Sequence, residues 1–284
     1  MKGLEVDPRV AASEAPGSPV PSGLSAVAVA MWNRNIIMLK RYAFNTLTQL
    51  INVYVLFLVV FFGARGIAGF VGGSPVALGD TLDATIVGFF LWFLALSSHS
   101  ELAYSIMNEA RLGTLEQLMM TPVGFRWAAF FETASTTVTN LIMSGVILAA
   151  MLLTTGRQLT IDLVTIVPLL LLATATAYGI GFAVAGLALV YKRIDALLLF
   201  FQWIWLALIG APALLPGPVV ALLPLSLVSR LLNEAMTQGT FLTDLGTGRL
   251  LAAVLNAAAC VVLGVVVFSR MERKARKSGS LAQY

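Results

Sequence analysis

Apolar runs of about 20 residues or more recur six times along the chain, at 44–64, 84–106, 127–153, 163–190, 196–215 and 250–268. At 1.5 Å rise per residue, about 20 helical residues cross a hydrocarbon layer roughly 30 Å thick, so each run predicts a membrane-spanning helix. Only the third run carries a charge deep in its sequence, Glu132, while the second holds His99 and Glu101 in its last turns. Between the fifth and sixth runs, 213–229 is apolar but broken by Pro216, Pro218 and Pro224, which rule out one regular helix. That stretch is too short to cross and return as two full helices. It reads as a re-entrant hairpin on the outer side, tolerated only where protein shields its broken backbone.

Ahead of the first run, 1–23 has Pro and Ser clusters and no apolar stretch, and reads as a disordered cytoplasmic tail. Residues 24–41 place Val29, Trp32, Ile36 and Leu39 on one helical face, with Arg34 and Arg41 opposite. This pattern suits a helix lying along the headgroups, although a simple continuation of the first span also fits, with Lys40 snorkelling. The remaining divisions are one six-span domain over 42–270 and a basic cytoplasmic tail over 271–284.

Composition agrees with this pattern. Hydrophobic residues make up 58% and charged residues 11%, against roughly 25% charged in a soluble domain. The single His99 and single Cys260 cannot assemble a structural His/Cys zinc site within one chain, and Cys260 reads as a small packing residue. Of the 18 basic residues, only Arg65, Arg157, Arg230 and Arg249 fall on one side of the six-span topology. The other fourteen, including the cluster Arg270 to Lys277, mark the cytoplasmic side, so both termini are expected inside a plasma or inner membrane. No inverted repeat and no G-x-x-x-x-G-K-[ST] phosphate loop is visible, so neither the repeat architecture of many carriers nor an ATPase site is encoded here.

The most distinctive segment is the loop 109–122 between the second and third runs. Thr114 can cap a short helix with Glu116 in its early turn, Pro122 ends it, and Leu115, Leu118 and Met119 form an apolar ridge fit for another protein's groove. Glu109, Gly113-Thr114, Glu116, Leu118 and Pro122 stand at the spacing found in the same loop of type-2 ABC exporter permeases, which this chain resembles. The Pro-broken piece before the last span and the basic turn Tyr191-Lys192-Arg193 extend the resemblance along the membrane part. It implies an all-α integral membrane protein with six spans, an N-terminal interfacial helix, a cytoplasmic coupling helix and a re-entrant hairpin. It further implies a non-enzymatic export subunit that pairs with a second permease chain, identical or related. Two copies of a separate ATPase would bind the ATP and Mg. Glu109, Arg111, Gly113, Thr114, Leu115, Glu116, Leu118 and Pro122 would form the contact with that ATPase. No cofactor, metal or nucleic acid is expected on this chain.

Polar residues within spans are expensive and face a cavity or a neighbouring helix. Asn45, Thr48, Gln49 and Asn52 share one face of the first span, and Thr133, Thr136, Thr137, Asn140 and Ser144 share one face of the third. Together with Gln202 and Tyr178 they either line a substrate route or hydrogen-bond helix to helix. The mostly uncharged interior suits an apolar or neutral cargo better than a highly charged one. Glu132, His99 and Glu101 are expected near the inner interface, paired with Arg126 or Lys40. An ion-coupled carrier using Glu132 and an intramembrane enzyme using His99 with a serine are the competing functions. Ser97, Ser98 and Ser100 point to other helix faces than His99, so no dyad follows from sequence.

Overall fold

The structure is a computed structural model and describes residues 24–71, 75–111, 125–191 and 194–277. The tail 1–23 and the loop positions Gly113, Thr114, Leu115, Glu116, Leu118 and Pro122 lie outside the described residues. All regular structure among the described residues is helical: α1 (Leu24–Arg41), α2 (Ala43–Val71), α3 (Pro75–Arg111), α4 (Phe125–Thr155), α5 (Leu163–Tyr191), α6 (Asp195–Gly210), α7 (Gly217–Leu222), α8 (Ser226–Gln238) and α9 (Thr247–Lys277). Six stretches are long and apolar enough to span a bilayer: Ala43–Gly63, Thr81–Glu109, Phe130–Thr155, Leu163–Tyr191, Asp195–Ala213 and Thr247–Ala275. The chain is a multi-pass membrane protein with the six spans that its apolar runs predict.

Helix α5 is the centre of the bundle. Its most extensive partner is α9, followed by α3. Backbone meets backbone on both sides, because glycines stand at the crossings. A methyl group added at Gly179 would sit 2.5 Å from the carbonyl carbon of Cys260, and one at Gly264 would collide with the Gly179 carbonyl oxygen. On the opposite side, a methyl at Gly181 would meet the His99 carbonyl oxygen at 2.6 Å. In lipid, helices gain little from apolar burial alone, so close van der Waals approach at small residues is the attraction that holds such a seam. Leu169, Ala173, Ala177 and Leu189 of α5 are buried along with Leu91, Leu94 and Ile106 of α3.

The proline-broken stretch forms a 3₁₀ turn (Ala211–Ala213) and the short α7, then passes into α8. Its exposed backbone groups are satisfied by protein. The Ser226 and Ser229 hydroxyls donate to the Leu208 and Ile209 carbonyls at the end of α6, at 2.6 and 3.0 Å. The Asn256 amide from α9 donates to the Ala221 and Leu222 carbonyls at 3.3 and 3.2 Å. These bonds satisfy carbonyls beside the breaks that have no partner within a regular helix. The uncharged stretch ends at Ser229, but the helix does not: α8 continues through Arg230 to Gln238, burying Leu231, Leu232, Ala235 and Met236.

Helix α9 also departs from the expected boundary. It runs unbroken to Lys277, with Glu272 and Ala275 buried and Arg273 and Lys274 exposed. At the start of α5, Asp162 accepts from the Thr165 hydroxyl at 2.5 Å and from the Thr165 amide at 3.1 Å. The Thr165 hydroxyl bond, with the backbone amides of Val164 and Thr165 adding to it, holds the Asp162 carboxyl below its ordinary value.

Candidate functional site

Helices α1 and α2 pack quite differently from α5. One residue, Tyr42, separates them, and the bonds from the Tyr42 amide to Met38 and from the Thr46 amide to Tyr42 carry helical hydrogen bonding across it. The pair is fastened to α4 at two points. Asn35 donates to the Ser135 and Thr139 hydroxyls at 3.1 and 2.9 Å, and the Tyr54 hydroxyl meets that of Thr154 at 2.5 Å. Between these clasps α1 and α2 stand off from α3 and α4, leaving a cavity of about 580 Å³.

The cavity wall runs from Met31 to Leu50 on one side. At 1.5 Å per residue that is roughly 28 Å of helix. Its two ends differ in chemistry. The end with Leu50, Phe93 and Met143 is uncharged and carries the amides of Gln49 and Asn140, whereas the charged Arg34, Glu101 and Glu132 lie towards the other with Tyr104 and Ser105. Ser105 donates to Glu132 at 2.8 Å. Arg34 lies 2.6 Å from Glu109 and 4.0 Å from Glu132.

This arrangement corrects two expectations. Arg34 does not point away from the protein: it and Asn35 turn inward, while Val29 and Trp32 are exposed. Glu132 is met by Arg34, not by Lys40, which is exposed, and Glu101 is met by neither. The Arg126 side chain lies outside the described residues.

The predicted stripes divide. Asn45 and Gln49 line the cavity, but Thr48 and Asn52 sit on the exposed side of α2, where the Thr48 hydroxyl bonds back to Phe44. On α4, Thr136 and Asn140 line the cavity and both reach the Tyr178 hydroxyl of α5, at 3.2 and 3.4 Å. They therefore wall the cavity and bond helix to helix. Thr133, Thr137 and Ser144 are not part of the wall; the Thr137 hydroxyl donates to the Thr133 carbonyl and the Ser144 hydroxyl to the Asn140 carbonyl. Gln202 is also absent from the wall, and its main-chain carbonyl accepts from the Trp92 indole at 3.1 Å. Hydroxyls that bond to their own helix carry little information on sequence alone, because Ser and Thr satisfy themselves this way wherever they fall.

His99 is fully buried, its ring centroid 5.8 Å from those of Phe201 and Trp205. Its Nδ1 lies 3.2 Å from the Ala95 carbonyl and its Nε2 has no hydrogen-bond partner among the described residues. Ser97 and Ser100 bond to the carbonyls of the preceding turn, while the buried Ser98 hydroxyl, like His99 Nε2, has no hydrogen-bond partner among the described residues. Nor do the described residues contain a cluster of three or more His, Cys, Asp or Glu suited to a metal.

No family model, curated protein or solved structure matches this chain.

At the far end from Arg34, ion pairs close the bundle. Arg157 lies 3.4 Å from Asp83, and Glu234 holds Arg230 at 3.1 Å and Arg249 at 2.7 Å. Of the four basic residues assigned by sequence to this side, these three are neutralised by acids. Arg65 has no described side chain.

Proposed function

We propose that this chain is the transmembrane subunit of an ATP-driven exporter of the type-2 ABC kind, working with a second permease chain and two separate ATPase subunits in a cell membrane. In this reading both termini are cytoplasmic, α1 is the interfacial helix, α7 and the start of α8 form the outer re-entrant piece, and 112–124 carries the coupling helix. The chain itself performs no catalysis.

The observation that carries the reading is the junction at Glu109. This residue opens the Glu109 to Pro122 motif and, at the end of α3, is bonded to Arg34 on α1, which walls the cavity. A displacement of the loop therefore acts on two cavity walls at once. ATP shifts an equilibrium between two conformations only through contacts that differ between them, and the loop is where those contacts would be made. In reconstituted vesicles containing the chain and its ATPase, Glu116→Ala should abolish transport-linked ATP hydrolysis while the protein still melts as the unaltered chain does. Unchanged transport and ATPase in that variant would overturn the assignment. So would labelling that places 109–122 on the outer surface.

A further inference from the structure

We infer that the cavity between α1–α2, α3 and α4 binds a lipophilic monovalent cation, and that Glu101 is its counter-ion. As a statement about exported cargo this rests on the exporter reading above; as a statement about binding it does not.

Among the described residues, three charged ones line the cavity: Arg34, Glu101 and Glu132. Arg34 is committed to Glu109, at 2.6 Å, and stands 4.0 Å from Glu132. Glu132 has the Ser105 hydroxyl at 2.8 Å. Glu101 makes no hydrogen bond or ion pair with any described residue. A carboxylate placed within a membrane span without a partner is costly to keep, and such residues mark the path of a ligand or ion. The lining carries two acids against one already engaged base, so an anion is disfavoured at this end and a cation favoured.

Shape selects among cations. A volume of about 580 Å³ is that of a site for a drug-sized molecule, not for a bare metal ion. The wall supplies an uncharged end with apolar surface from Leu50, Phe93 and Met143, and places the carboxylates and the Tyr104 ring towards the other. An amphiphile with its charge at Glu101 and its hydrocarbon or aromatic body towards Phe93 matches both ends. The tyrosine ring adds a face attractive to a cation, and methionines adapt to varied shapes. The sequence alone favours a neutral cargo, since it gives no sign that Glu101 and Glu132 share one wall with a single engaged arginine.

The test compares tetraphenylphosphonium with tetraphenylborate, two ions of nearly the same size and opposite charge, in equilibrium dialysis against the purified full-length chain in neutral detergent. The phosphonium should bind above the level of protein-free micelles, and the borate at least tenfold more weakly. Glu101→Gln should weaken phosphonium binding by about tenfold, the order expected for loss of one partly desolvated charge partner. Thr48→Ala, on the outward side of α2, should bind like the unaltered chain. Equal binding of the two ions, phosphonium uptake no greater than by micelles alone, or full affinity in Glu101→Gln would each overturn the proposal. A tightly held phospholipid that the phosphonium does not displace would do so too. The comparison of the two ions needs no variant, so it stands even if Glu101→Gln does not fold. No ATPase is present, so failure here leaves the exporter reading intact, whereas phosphonium binding together with unchanged coupling in Glu116→Ala would keep the site and remove the exporter.

Discussion

The α5–α9 seam and the α1–α2 wall are both helix contacts in one bundle, yet they are built on opposite principles. At the seam, Gly179 and Gly264 bring two backbones together with no side chain between them. At the wall, α1 lies along α4 and is clasped to it at Asn35, while α2 buries Phe57 and Phe61 beside α3 and meets α4 at Tyr54, with the cavity left between. A seam of that kind has one arrangement, because any relative rotation drives atoms into each other. A clasped wall can release a few hydrogen bonds, each worth about 1 kcal/mol in a membrane, and move. The difference separates a half locked by backbone contact, α5, α9 and part of α3, from a half held by side chains alone.

The most severe challenge to this contrast is a side chain at Gly264. Gly264→Val should cost about 3 kcal/mol or more through overpacking and leave little monodisperse protein on size-exclusion chromatography. Normal yield would mean that the seam is looser than described. Next in size is Arg34→Ala, which leaves Glu109 without that arginine. It should lower the melting temperature modestly, by the equivalent of about 1 kcal/mol for a partly exposed pair, and speed proteolysis between α1 and α2. If the two halves differ as argued, cleavage within α9 should not change in the same variant. Tyr178→Phe removes the hydroxyl shared by Thr136 and Asn140, at 3.2 and 3.4 Å, and should cost about 0.6 kcal/mol, read as a small drop in thermal stability.

The smallest effect belongs to Asp162. Its folded carboxyl titrates below the ordinary 3.8, so its contribution is present above that pH and fades as pH falls through the lowered value. Asp162→Asn should lower the melting temperature slightly at neutrality, where the contribution is full, and flatten its fall with pH below 3.8, where the unaltered chain loses that contribution. An equal slope in both proteins would assign the acid sensitivity elsewhere.

The spans are legible in the sequence because hydrophobic length is a property of each segment by itself. Which face of a span meets which neighbour is not, and there the sequence is a weaker guide. Gly179, Gly181 and Gly264 look like any small residues in an apolar run, and their role exists only once three helices are brought together. The opposition of Arg34 to Trp32 places the arginine at the headgroups, a sound rule for a helix against lipid alone, but acids on α3 and α4 supply a better partner than water. Within the cavity, Asn45, Gln49, Thr136 and Asn140 stand out by their polarity in apolar surroundings. Thr48 and Asn52 carry the same signal at almost the same helical angle, and only the position of α3 and α4 tells the two pairs apart. Glu101 is conspicuous in the sequence but invites a structural partner, because counting charges along a chain does not show that the nearest arginine is already taken.

The glycine contact also bears on the order in which the protein is made. Ribosomes deliver α5 to the membrane before α9, so for that interval the groove at Gly179 is filled by acyl chains instead of Gly264. The nascent bundle is thus open at a position that later becomes tightly closed, and the helix made later is the one that locks it. Chains halted before Thr247 should accordingly reach the bilayer and still be recognised by quality-control proteases as unfinished.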